Sequence, residues 1–541
     1  MKLLLVVPKY TQHYSEYDFG KNYDYHFPIG LAYVLSSIKN KGYHIDALNM
    51  NHHSESIANL IKSRLDKQKY DFILTGSNAV DYDSTKMIID SARSHISKPK
   101  LILGGPMITS EPKLVFDDLK PDFGVIGEGE KTILELLEGI KNKNDLKKIP
   151  GLIFRDNNQI IITEKRKAIM DLDSIPFPEV ELLGFKEYLD NGFCNWGIVH
   201  SLNDRPRVYS LVGSRSCPYH CTFCYHYDSI YRERSIKNIM EELTMVVKKY
   251  KINILRIYDE CFAVDKKRLN EFCKSMNQLR KEISWDLKWV PQLRVDLVDE
   301  KTLKLMKDAG CAVISYGFES YSPVVLKSMK KNITPEKINT AFNETIKQGI
   351  AIQACFIFGD VAETKETAYE TLNYWKKNLK GQVELVFMEP YPVSEIYQHC
   401  IKKGIIKDRM EFIKDLKRFG NFNFNMTDSM SDKELKILEK DMASATAKYR
   451  KYILPSSMKK INKNIYKFRV KCPFCNKFSE YGNCIIPNKL SYSFNVICRN
   501  CGMRFFITST LRRFVYRHYD KLKKLRDLQL DIKDYFRKKR Q

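Results

Sequence analysis

Short apolar runs alternate with amphipathic stretches along the first 141 residues. Five of these runs predict β-strands, at 3–7, 44–48, 72–76, 101–103 and 123–126. The stretches between them carry apolar residues at helical spacing, near 30–41, 55–68, 83–95, 111–119 and 130–141. Five successive β-α units predict an α/β domain with a doubly wound, Rossmann-like parallel sheet.

A second alternating series begins near residue 208. Its strand-like runs lie at 208–212, 254–258, 287–290, 312–318, 353–358 and 383–387. Charged residues follow several of these runs, at the strand ends where parallel barrels carry their functional groups. A hairpin-like segment at 149–154 and a linker at 173–178 join the two series, and residues 400–465 are helix-rich and lysine-rich.

Length and charge narrow the class of protein. A chain of 541 residues accommodates two to four domains, and its 43% apolar content is ordinary for globular protein. The net charge of +25 indicates nucleic acid, a phosphorylated substrate or a membrane surface as partner, or else only a lysine-rich composition. Without an apolar run of about 18 residues or a signal-peptide pattern, we expect a cytoplasmic protein with no transmembrane segment.

Fourteen cysteines in a cytoplasmic chain indicate metal or redox chemistry rather than disulfides. None precedes Cys194. Cys217, Cys221 and Cys224 form a C-x₃-C-x₂-C motif on the loop that follows the run at 208–212. Three thiolates can hold three irons of a [4Fe–4S] cluster and leave the fourth iron open to a ligand. No fourth ligand stands out nearby, which argues against a structural zinc site at this loop.

Four further cysteines predict a second metal site. Cys472 and Cys475 form one C-x₂-C pair, and Cys498 and Cys501 form another after 22 intervening residues. This spacing is typical of a tetrahedral Cys₄ zinc ribbon, in which the segment 485–496 would be a hairpin. Rubredoxin-type iron is the alternative, and Cys484 is interpreted as a bystander.

The chain ends in a basic amphipathic pattern. Residues 509–541 hold twelve Lys or Arg against four Asp, with apolar residues at roughly helical spacing. Such a helix can make peripheral contact with an anionic membrane, bind nucleic acid, or pack on its own protein. The pattern leaves these three possibilities open.

The octet Cys217-Pro218-Tyr219-His220-Cys221-Thr222-Phe223-Cys224 resembles the signature of the radical S-adenosylmethionine (SAM) superfamily. The resemblance implies a partial (β/α)₆ barrel and a cluster whose open iron binds the amino and carboxylate groups of SAM. It also implies reductive cleavage of SAM to methionine and a 5′-deoxyadenosyl radical. Phe223 occupies the family's aromatic position against the adenine side.

The same resemblance assigns the acidic and basic strand ends to SAM. It puts Asp259 or Glu260 near the SAM amine, Glu319 near the ribose and Arg294 near a carboxylate. Carboxylates and a guanidinium group suit these partners chemically. The family's Gly-x-Pro-Gly-Glu-Thr loop is only partly kept in Gly359-Asp360-Val361-Ala362-Glu363-Thr364, so ligand contacts there are an open question.

The turns of the first domain resemble those of cobalamin-binding domains. The matching turns are Pro28-Ile29-Gly30-Leu31, Gly104-Gly105-Pro106 and Gly127-Glu128-Gly129-Glu130, and Ser77 ends the turn after the third strand. Glycines there let a flat ligand approach the backbone, and a side chain would occupy its space. A domain that keeps the fold without the ligand is the alternative.

The family's cobalt-ligating Asp-x-His-x-x-Gly turn is absent. Asp24-Tyr25-His26-Phe27-Pro28-Ile29-Gly30 has its glycine one residue late. The resemblance therefore implies cobalamin binding without a histidine ligand, with His26 as the weaker alternative.

Together these patterns predict a cobalamin-dependent radical SAM enzyme, most simply a methyltransferase acting on an unactivated carbon or phosphorus centre. Radical cyclisation or rearrangement without methyl transfer, and RNA modification through the ribbon and basic tail, are the alternatives. We expect a small-molecule or lipid substrate rather than nucleic acid, and an electron donor such as flavodoxin or ferredoxin. The expected segments are cobalamin domain 1–145, hairpin and linker 146–205, radical SAM domain 206–400, helical segment 401–465, zinc ribbon 466–508 and basic helix 509–541.

Overall fold

A computed structural model describes residues 1–10, 23–228, 230–416 and 424–523. The N-terminal part is a mixed α/β unit built on one seven-stranded sheet. Its elements are β1 (Lys2–Val7), α1 (Ile29–Asn40), β2 (His44–Asn49), α2 (Ile57–Lys67), β3 (Phe72–Gly76), α3 (Tyr82–Ser94), β4 (Lys100–Gly104), α4 (Pro106–Ser110), α5 (Pro112–Leu119), β5 (Phe123–Val125), α6 (Gly129–Asn142), β6 (Leu152–Asp156) and β7 (Gln159–Ile162).

The strand order of this sheet is β2-β1-β3-β4-β5-β6-β7, and its first five strands are parallel. The five strands predicted from the periodicity are all present, and the hairpin-like segment adds β6 and β7 antiparallel at the edge. The chain leaves β1 for β2 and returns to β3 on the other side of β1. Such a reversal opens a crevice at the carboxyl ends of β1 and β3, where ligands of doubly wound sheets bind.

A linker containing α7 (Phe185–Asp190) leads to a second set of parallel strands. The elements of this set are β8 (Val208–Leu211), β9 (Ser214–Arg215), β10 (Arg232–Glu233), α8 (Ile236–Tyr250), β11 (Ile254–Ile257), α9 (Lys266–Lys281), β12 (Lys288–Val290), β13 (Gln292–Leu293), α10 (Glu300–Asp308), β14 (Val313–Glu319), α11 (Pro323–Ser328), α12 (Pro335–Lys347), β15 (Ala351–Phe358), α13 (Lys365–Asn378) and β16 (Glu384–Phe387).

These strands form two parallel arcs, β12-β11-β8 and β13-β14-β15-β16. Pro291 separates β12 from β13 because it has no N–H to donate to a ladder, and a parallel bridge between Trp289 and Cys311 joins the arcs. Counting β12 and β13 as one interrupted strand gives six parallel strands with helical crossovers. This is the partial (β/α)₆ barrel that the motif resemblance implied.

The amino-terminal end of the barrel is closed by apolar side chains. One residue from each of five strands packs there, together with Ile198, Val199 and Leu202 from the linker and Ile497 from the C-terminal region. The five strand residues are Val208, Ile254, Val290, Val313 and Ala351. The barrel is therefore solid at this end, and its open end lies at the strand carboxyl termini.

The remaining described elements are α14 (Glu395–Lys402), α15 (Arg409–Asp415), α16 (Asp432–Tyr449), β17 (Tyr452–Ile453), β18 (Ser457–Asn462), β19 (Ile465–Lys471), β20 (Phe478–Ile485), β21 (Ser493–Ile497), β22 (Arg504–Thr508) and α17 (Thr510–Arg517). The two C-x₂-C pairs lie at the turns of two hairpins, β19-β20 and β21-β22. The prediction of a hairpin at 485–496 is therefore wrong. That segment connects two hairpins, because the strand after the first cysteine pair turns back onto β19.

The two-hairpin unit packs on the closed end of the barrel. Ile497 N–H donates to Ser201 Oγ (2.9 Å), and the Arg499 guanidinium reaches Asp204 (2.7 Å) in the linker. On the opposite side, Arg504 pairs with Glu384 of β16 (2.7 Å). The cysteine-rich unit thus covers the barrel end remote from the C-x₃-C-x₂-C loop.

The C-terminal basic helix is described only in its first part. Tyr516 of α17 stacks on Tyr452 with ring centroids 3.9 Å apart, so this part packs on the protein itself. Residues 524–541, which carry the rest of the predicted amphipathic pattern, lie outside the described residues. Within the described ranges, no helix combines the length and apolar character needed to cross a membrane.

One carboxylate joins the sheet domain to the barrel. Glu128, in the turn before α6, accepts from Arg215 of β9 (2.9 Å) and from Arg232 of β10 (2.9 and 3.0 Å). Glu130 accepts a second bond from Arg215 (2.5 Å), and Ile169 N–H donates to Glu128 (2.7 Å). Burial alone would raise the pKa of Glu128, but the two arginines hold it below its ordinary value.

We predict that Glu128→Gln lowers the free energy of unfolding by roughly 3 kcal/mol, because the buried Arg232 loses its counter-charge and Arg215 keeps only Glu130. Glu135→Gln is the matched control, since Glu135 also pairs with an arginine, Arg166, but is 43% exposed. That change should cost less than about 1 kcal/mol. Denaturant unfolding of the full chain measures both, and equal effects would contradict a special role for Glu128.

Candidate active site

The C-x₃-C-x₂-C loop lies at the open end of the barrel, between β9 and β10. These two short strands pair antiparallel, Arg215 with Arg232, and so close the base of the loop. Ser216 adopts a left-handed backbone with φ of 65°, which turns the chain sharply into Cys217. Cys221 is buried, whereas Cys217 and Cys224 are half-buried. The loop therefore presents its three thiols together at the barrel mouth.

Contacts from several barrel crossovers hold the loop in place. Thr222 N–H donates to the carbonyl of Met329 (3.1 Å), and its carbonyl accepts from Ile396 N–H (3.1 Å). The Arg294 guanidinium lies 3.7 Å from the centroid of the Tyr219 ring. These bonds fix the loop backbone before any ligand binds.

The electrostatics favour a thiolate at Cys221, whereas burial raises the pKa of Cys217 and the hydrogen bond with Cys221 raises that of Cys224. A hydrogen bond with Cys224, helped by the charges of Lys331 and Arg294, lowers the pKa of Cys221 to about 7. In the part of the chain that is described, the three sulfurs do not all lie within 4.8 Å of one another. This spacing is wider than a single-ion site, as expected for ligands that bind different irons of one cluster.

The structure separates Asp259 from Glu260, which the sequence left as alternatives. Asp259 is fully buried behind β11, where Oδ1 accepts from Gly213 N–H (2.6 Å), and burial raises its pKa to about 6. Glu260 is exposed. Burial raises the pKa of the Cys217 thiol, and the nearby negative charge of Glu260 raises it further. Glu260 is thus the better candidate for the SAM amine, and Asp259 supports the strand leading into the loop.

Glu319 ends β14 in a buried ion pair with Lys331 (2.7 Å). Its backbone is left-handed, with φ of 60°, and the register of β14 against β15 shifts at this point. A Cβ at Gly317 would come within 2.1 Å of the Glu319 carboxylate and 2.5 Å of Lys331 Nζ. Strain of this kind is typical of functional sites and aims the Glu319 side chain along the barrel mouth.

Arg294, predicted to lie near a carboxylate of SAM, is held by bonds within the protein. Its guanidinium donates to Asp296 (3.0 and 3.2 Å) and to the Lys331 carbonyl (2.8 Å), and the side chain is buried. These bonds favour a role in positioning the cysteine loop through Tyr219 over contact with the SAM carboxylate.

Phe223 lies half-buried against an apolar cluster formed by α11, α14 and the chain between them. Lys331 Nζ is 6.0 Å from its ring centroid. Lys331 was missed by sequence analysis, because Lys330-Lys331 after α11 looks like any surface pair in a lysine-rich chain. Only the fold shows that Lys331 is 7% exposed and sits beside the cysteines.

The loop after β15 lacks the proline and second glycine of the motif but is ordered by its own side chains. Glu363 accepts from Gly359 N–H (2.5 Å), and Asp360 accepts from Ala362 N–H (3.0 Å). Thr364 then caps α13. Glu363 is buried, which raises its pKa to about 8. This carboxyl serves the loop backbone rather than a ligand.

A cavity of about 450 Å³ opens at the carboxyl ends of β1, β3, β4 and β5. Val212 and Arg215 of the barrel complete its wall, so it lies where the sheet domain meets the barrel mouth. Its apolar lining extends down between the sheet and helices α1 and α6 through Leu5, Leu31, Leu74, Ile102 and Val125. An apolar slot with a polar rim suits a large, flat ligand with an appended tail.

The glycines of the rim have different roles. A Cβ at Gly30 would meet nothing within 4 Å, and one at Gly104 only Val125 at 4.0 Å, so both border open cavity. Gly105 instead has φ of 89° and would press a Cβ to within 3.0 Å of the Ser77 backbone. Gly127, with φ of 82°, would clash with the Tyr227 ring. Gly104 is therefore where an added side chain tests the cavity without straining the backbone.

The two polar candidates of this rim have partners within the protein. Ser77 Oγ bonds Thr85 Oγ1 (2.8 Å), and Glu128 is held by the two arginines of the barrel. Both shape the wall, and their contacts to a ligand remain predictions.

His26 is not among the lining residues. Its Nδ1 lies 2.5 Å from the hydroxyl of Tyr258, at the end of β11. This contact directs His26 to the barrel, and cobalamin binding without a histidine ligand stays a prediction.

The four C-terminal cysteines converge as predicted. Their ligand atoms all lie within 4.8 Å of one another, with Sγ distances of 3.8 Å for Cys472–Cys501 and 3.7 Å for Cys475–Cys498. Four thiols at this spacing fit a tetrahedral metal, and zinc remains the predicted occupant. Cys484 lies outside the set, buried beside Cys194.

Comparison with known proteins agrees with both halves of the site. The B12 binding domain family matches residues 19–137, and the radical SAM superfamily matches residues 211–374. The chain thus carries a B12 binding domain followed by a radical SAM domain, and its cofactors are cobalamin, SAM and a [4Fe–4S] cluster. The resemblances stated from the motifs are confirmed.

Relatives extend over most of the chain. It is 28% identical over 414 residues to an uncharacterized methyltransferase of Pyrococcus horikoshii, covering 75% of this chain and 84% of that protein. It is 25% identical over 423 residues to the anaerobic magnesium-protoporphyrin IX monomethyl ester cyclase of Cereibacter sphaeroides, covering 75% and 64%. The solved structure of the radical SAM methyltransferase TsrM from Kitasatospora setae is similar in fold, with a TM-score of 0.60, 17% identity, and 74% and 76% coverage.

We predict that Gly104→Leu abolishes cobalamin binding while the cluster is retained, because the new side chain would fill the cavity. Cobalamin absorbance and iron content measure this on the purified protein, and Ser63→Leu, on the exposed face of α2, is the control.

Wild-type protein should give a cob(II)alamin resonance spectrum without nitrogen triplets. Triplets that vanish in His26→Ala would identify His26 as the cobalt ligand and contradict the histidine-free mode.

We predict one tightly bound zinc per chain, independent of the iron. Cys475→Ser should lose it and reduce solubility, because the two hairpins are joined through the metal. Metal analysis after chelation tests this, with Cys484→Ala as the control that keeps its zinc. Unchanged zinc content in Cys475→Ser would mean that the four thiols do not form the site.

Proposed function

We propose that this chain methylates an unactivated carbon or phosphorus centre of a small-molecule substrate. The observation that carries the proposal is the shared wall of the two sites: Val212 and Arg215 border the cavity, and the cysteine loop begins one residue after Arg215. A substrate at the barrel mouth would therefore face both cofactors at once. The similarity to a methyltransferase of Pyrococcus horikoshii supports the same reaction class.

When bound, the cluster with SAM supplies a radical that abstracts hydrogen, and cobalamin supplies the methyl group. The protein's part is to bind, orient and exclude water. Cys217, Cys221 and Cys224 hold the cluster, Glu260 receives the SAM amine, and Glu319, fixed by Lys331, faces the ribose. Phe223 packs on the adenine side.

Other residues act through these groups. Arg294 positions the loop through Tyr219, and Asp259 positions β9 through the Gly213 N–H. Apolar cavity walls keep water from the reacting centre. The protein needs one electron from outside for each SAM cleavage, and we propose flavodoxin or ferredoxin as donor.

A small-molecule substrate is favoured over RNA by the position of the ribbon. The predicted nucleic-acid role required the ribbon to grip a substrate, yet it packs on the closed end of the barrel through Ile497 and Arg504. Cyclisation without methyl transfer is the second candidate, because the chain also resembles the porphyrin ester cyclase.

Anaerobic reconstitution with iron, sulfide and cobalamin, followed by incubation with methyl-deuterated SAM and cell extract, tests the proposal. We expect 5′-deoxyadenosine and one new metabolite that carries the deuterated methyl group. Cys221→Ala should abolish both products, whereas Cys273→Ala, a buried cysteine of α9, should not. A product that loses hydrogen and gains no label would favour cyclisation, and SAM cleavage by Cys221→Ala would contradict the cluster assignment.

A further inference from the structure

A cluster of polar side chains in the barrel lumen is not used by either cofactor site. Its centre is Arg256 on β11, whose register opposite Ser210 and Val290 directs it, like Ile254, into the lumen. Arg256 is half-buried, and its Cζ lies 5.1 Å from the ring centroid of Tyr258.

Arg256 has no carboxylate partner among the residues that the structure describes. The acids around the barrel are otherwise engaged: Glu319 pairs with Lys331, Glu384 with Arg450 and Arg504, and Asp259 with the Gly213 N–H. A half-buried guanidinium group without a counter-charge is costly, and an anionic ligand would offset that cost.

Two histidines complete the cluster as neutral groups. Burial lowers the pKa of His200 to about 3, with a smaller contribution from the charge of Arg256. The His26 side chain is exposed, and partial desolvation followed by the charge of the same arginine lowers its pKa to about 4. At neutral pH both rings can donate or accept hydrogen bonds without adding charge, so Arg256 supplies the cationic character of the cluster.

The cluster borders the space proposed for the substrate. Tyr258 N–H donates to the Leu211 carbonyl (2.8 Å), next to Val212 of the cavity wall. His26 lies two residues before Pro28, which lines the same cavity. A group bound at Arg256 would hold the rest of its molecule towards both cofactors.

We propose that Arg256 anchors an oxyanion of the substrate, a carboxylate or a phosphonate, with His26, His200 and the Tyr258 hydroxyl as its hydrogen-bond partners. The inference rests on the proposed function, since it names the substrate class of that site. The planar guanidinium group matches two oxygens of either anion at once. The substrate is thereby selected by charge at one end and presented for reaction at the other.

Calorimetric titration of the reconstituted enzyme, without reductant, tests this with benzoate, phenylphosphonate and the uncharged benzamide. We expect an anion to bind the wild type, Arg256→Gln to weaken it at least ten-fold, and Arg256→Lys to restore part of the affinity. The stronger of the two anions identifies the oxyanion. Arg280→Gln, outside the barrel on α9, is the control that should bind as the wild type does.

Equal anion affinity in wild type and Arg256→Gln would overturn the proposal, as would benzamide binding as tightly as benzoate. Competition between SAM and the anions would also overturn it, since Arg256 would then hold the SAM carboxylate. The iron and cobalamin contents of Arg256→Gln show whether this variant is folded. Weaker anion binding supports the proposal only if the variant retains both cofactors. SAM cleavage by the wild type is measured in a separate assay. If the wild type does not cleave SAM, the proposed function is refuted, whatever the anion titrations show.

Discussion

The geometry of the whole site depends on the ion pairs of Glu128. This carboxylate belongs to the turn that walls the cavity, and its partners Arg215 and Arg232 belong to the two strands that close the base of the cysteine loop. Charge-assisted bonds to two arginines have narrow distance and angle limits, unlike apolar packing. The spacing between cavity and cluster is therefore set by directional bonds. The two domains also share one continuous apolar core. This core holds the domains together, and the ion pairs fix their relative position.

The sequence predicted those parts of the molecule that depend on local patterns. Strand and helix periodicity located the sheet and barrel elements, and cysteine spacing located the two groups of cysteines. It could not distinguish Asp259 from Glu260, because the two are neighbours in the turn after β11 and differ in which of them the fold buries. That choice depends on where the barrel strand is packed, which no local pattern reports. The sequence also could not identify Lys331. This residue is buried because the turn after α11 packs over the cysteine loop, and nothing in the sequence distinguishes it from the many other lysines.

The cysteine-rich unit explains how a partial barrel is closed. Six strands leave an apolar end, and Ile497 together with the linker turn at Ser201 covers it. Arg504, buried and paired with Glu384, ties the unit to the last barrel strand. Because binding of a structural metal is coupled to folding, the integrity of this barrel end is linked to the four thiols. The four-cysteine site is then part of the barrel's architecture, remote from the cysteine loop at the other end.

The net charge of +25 says little about the chemistry, because a total for the whole chain does not show which charges lack a counter-charge. At the barrel the charges are largely balanced in pairs, Glu319 with Lys331 and Glu384 with two arginines. Recognition depends on the charged groups that have no partner of opposite charge. Within the described chain, Arg256 is such a group in the barrel lumen. Composition counts charges, whereas specificity depends on which of them are left without a counter-charge in a desolvated place. A protein can therefore be strongly basic overall and still present a single cation to its substrate.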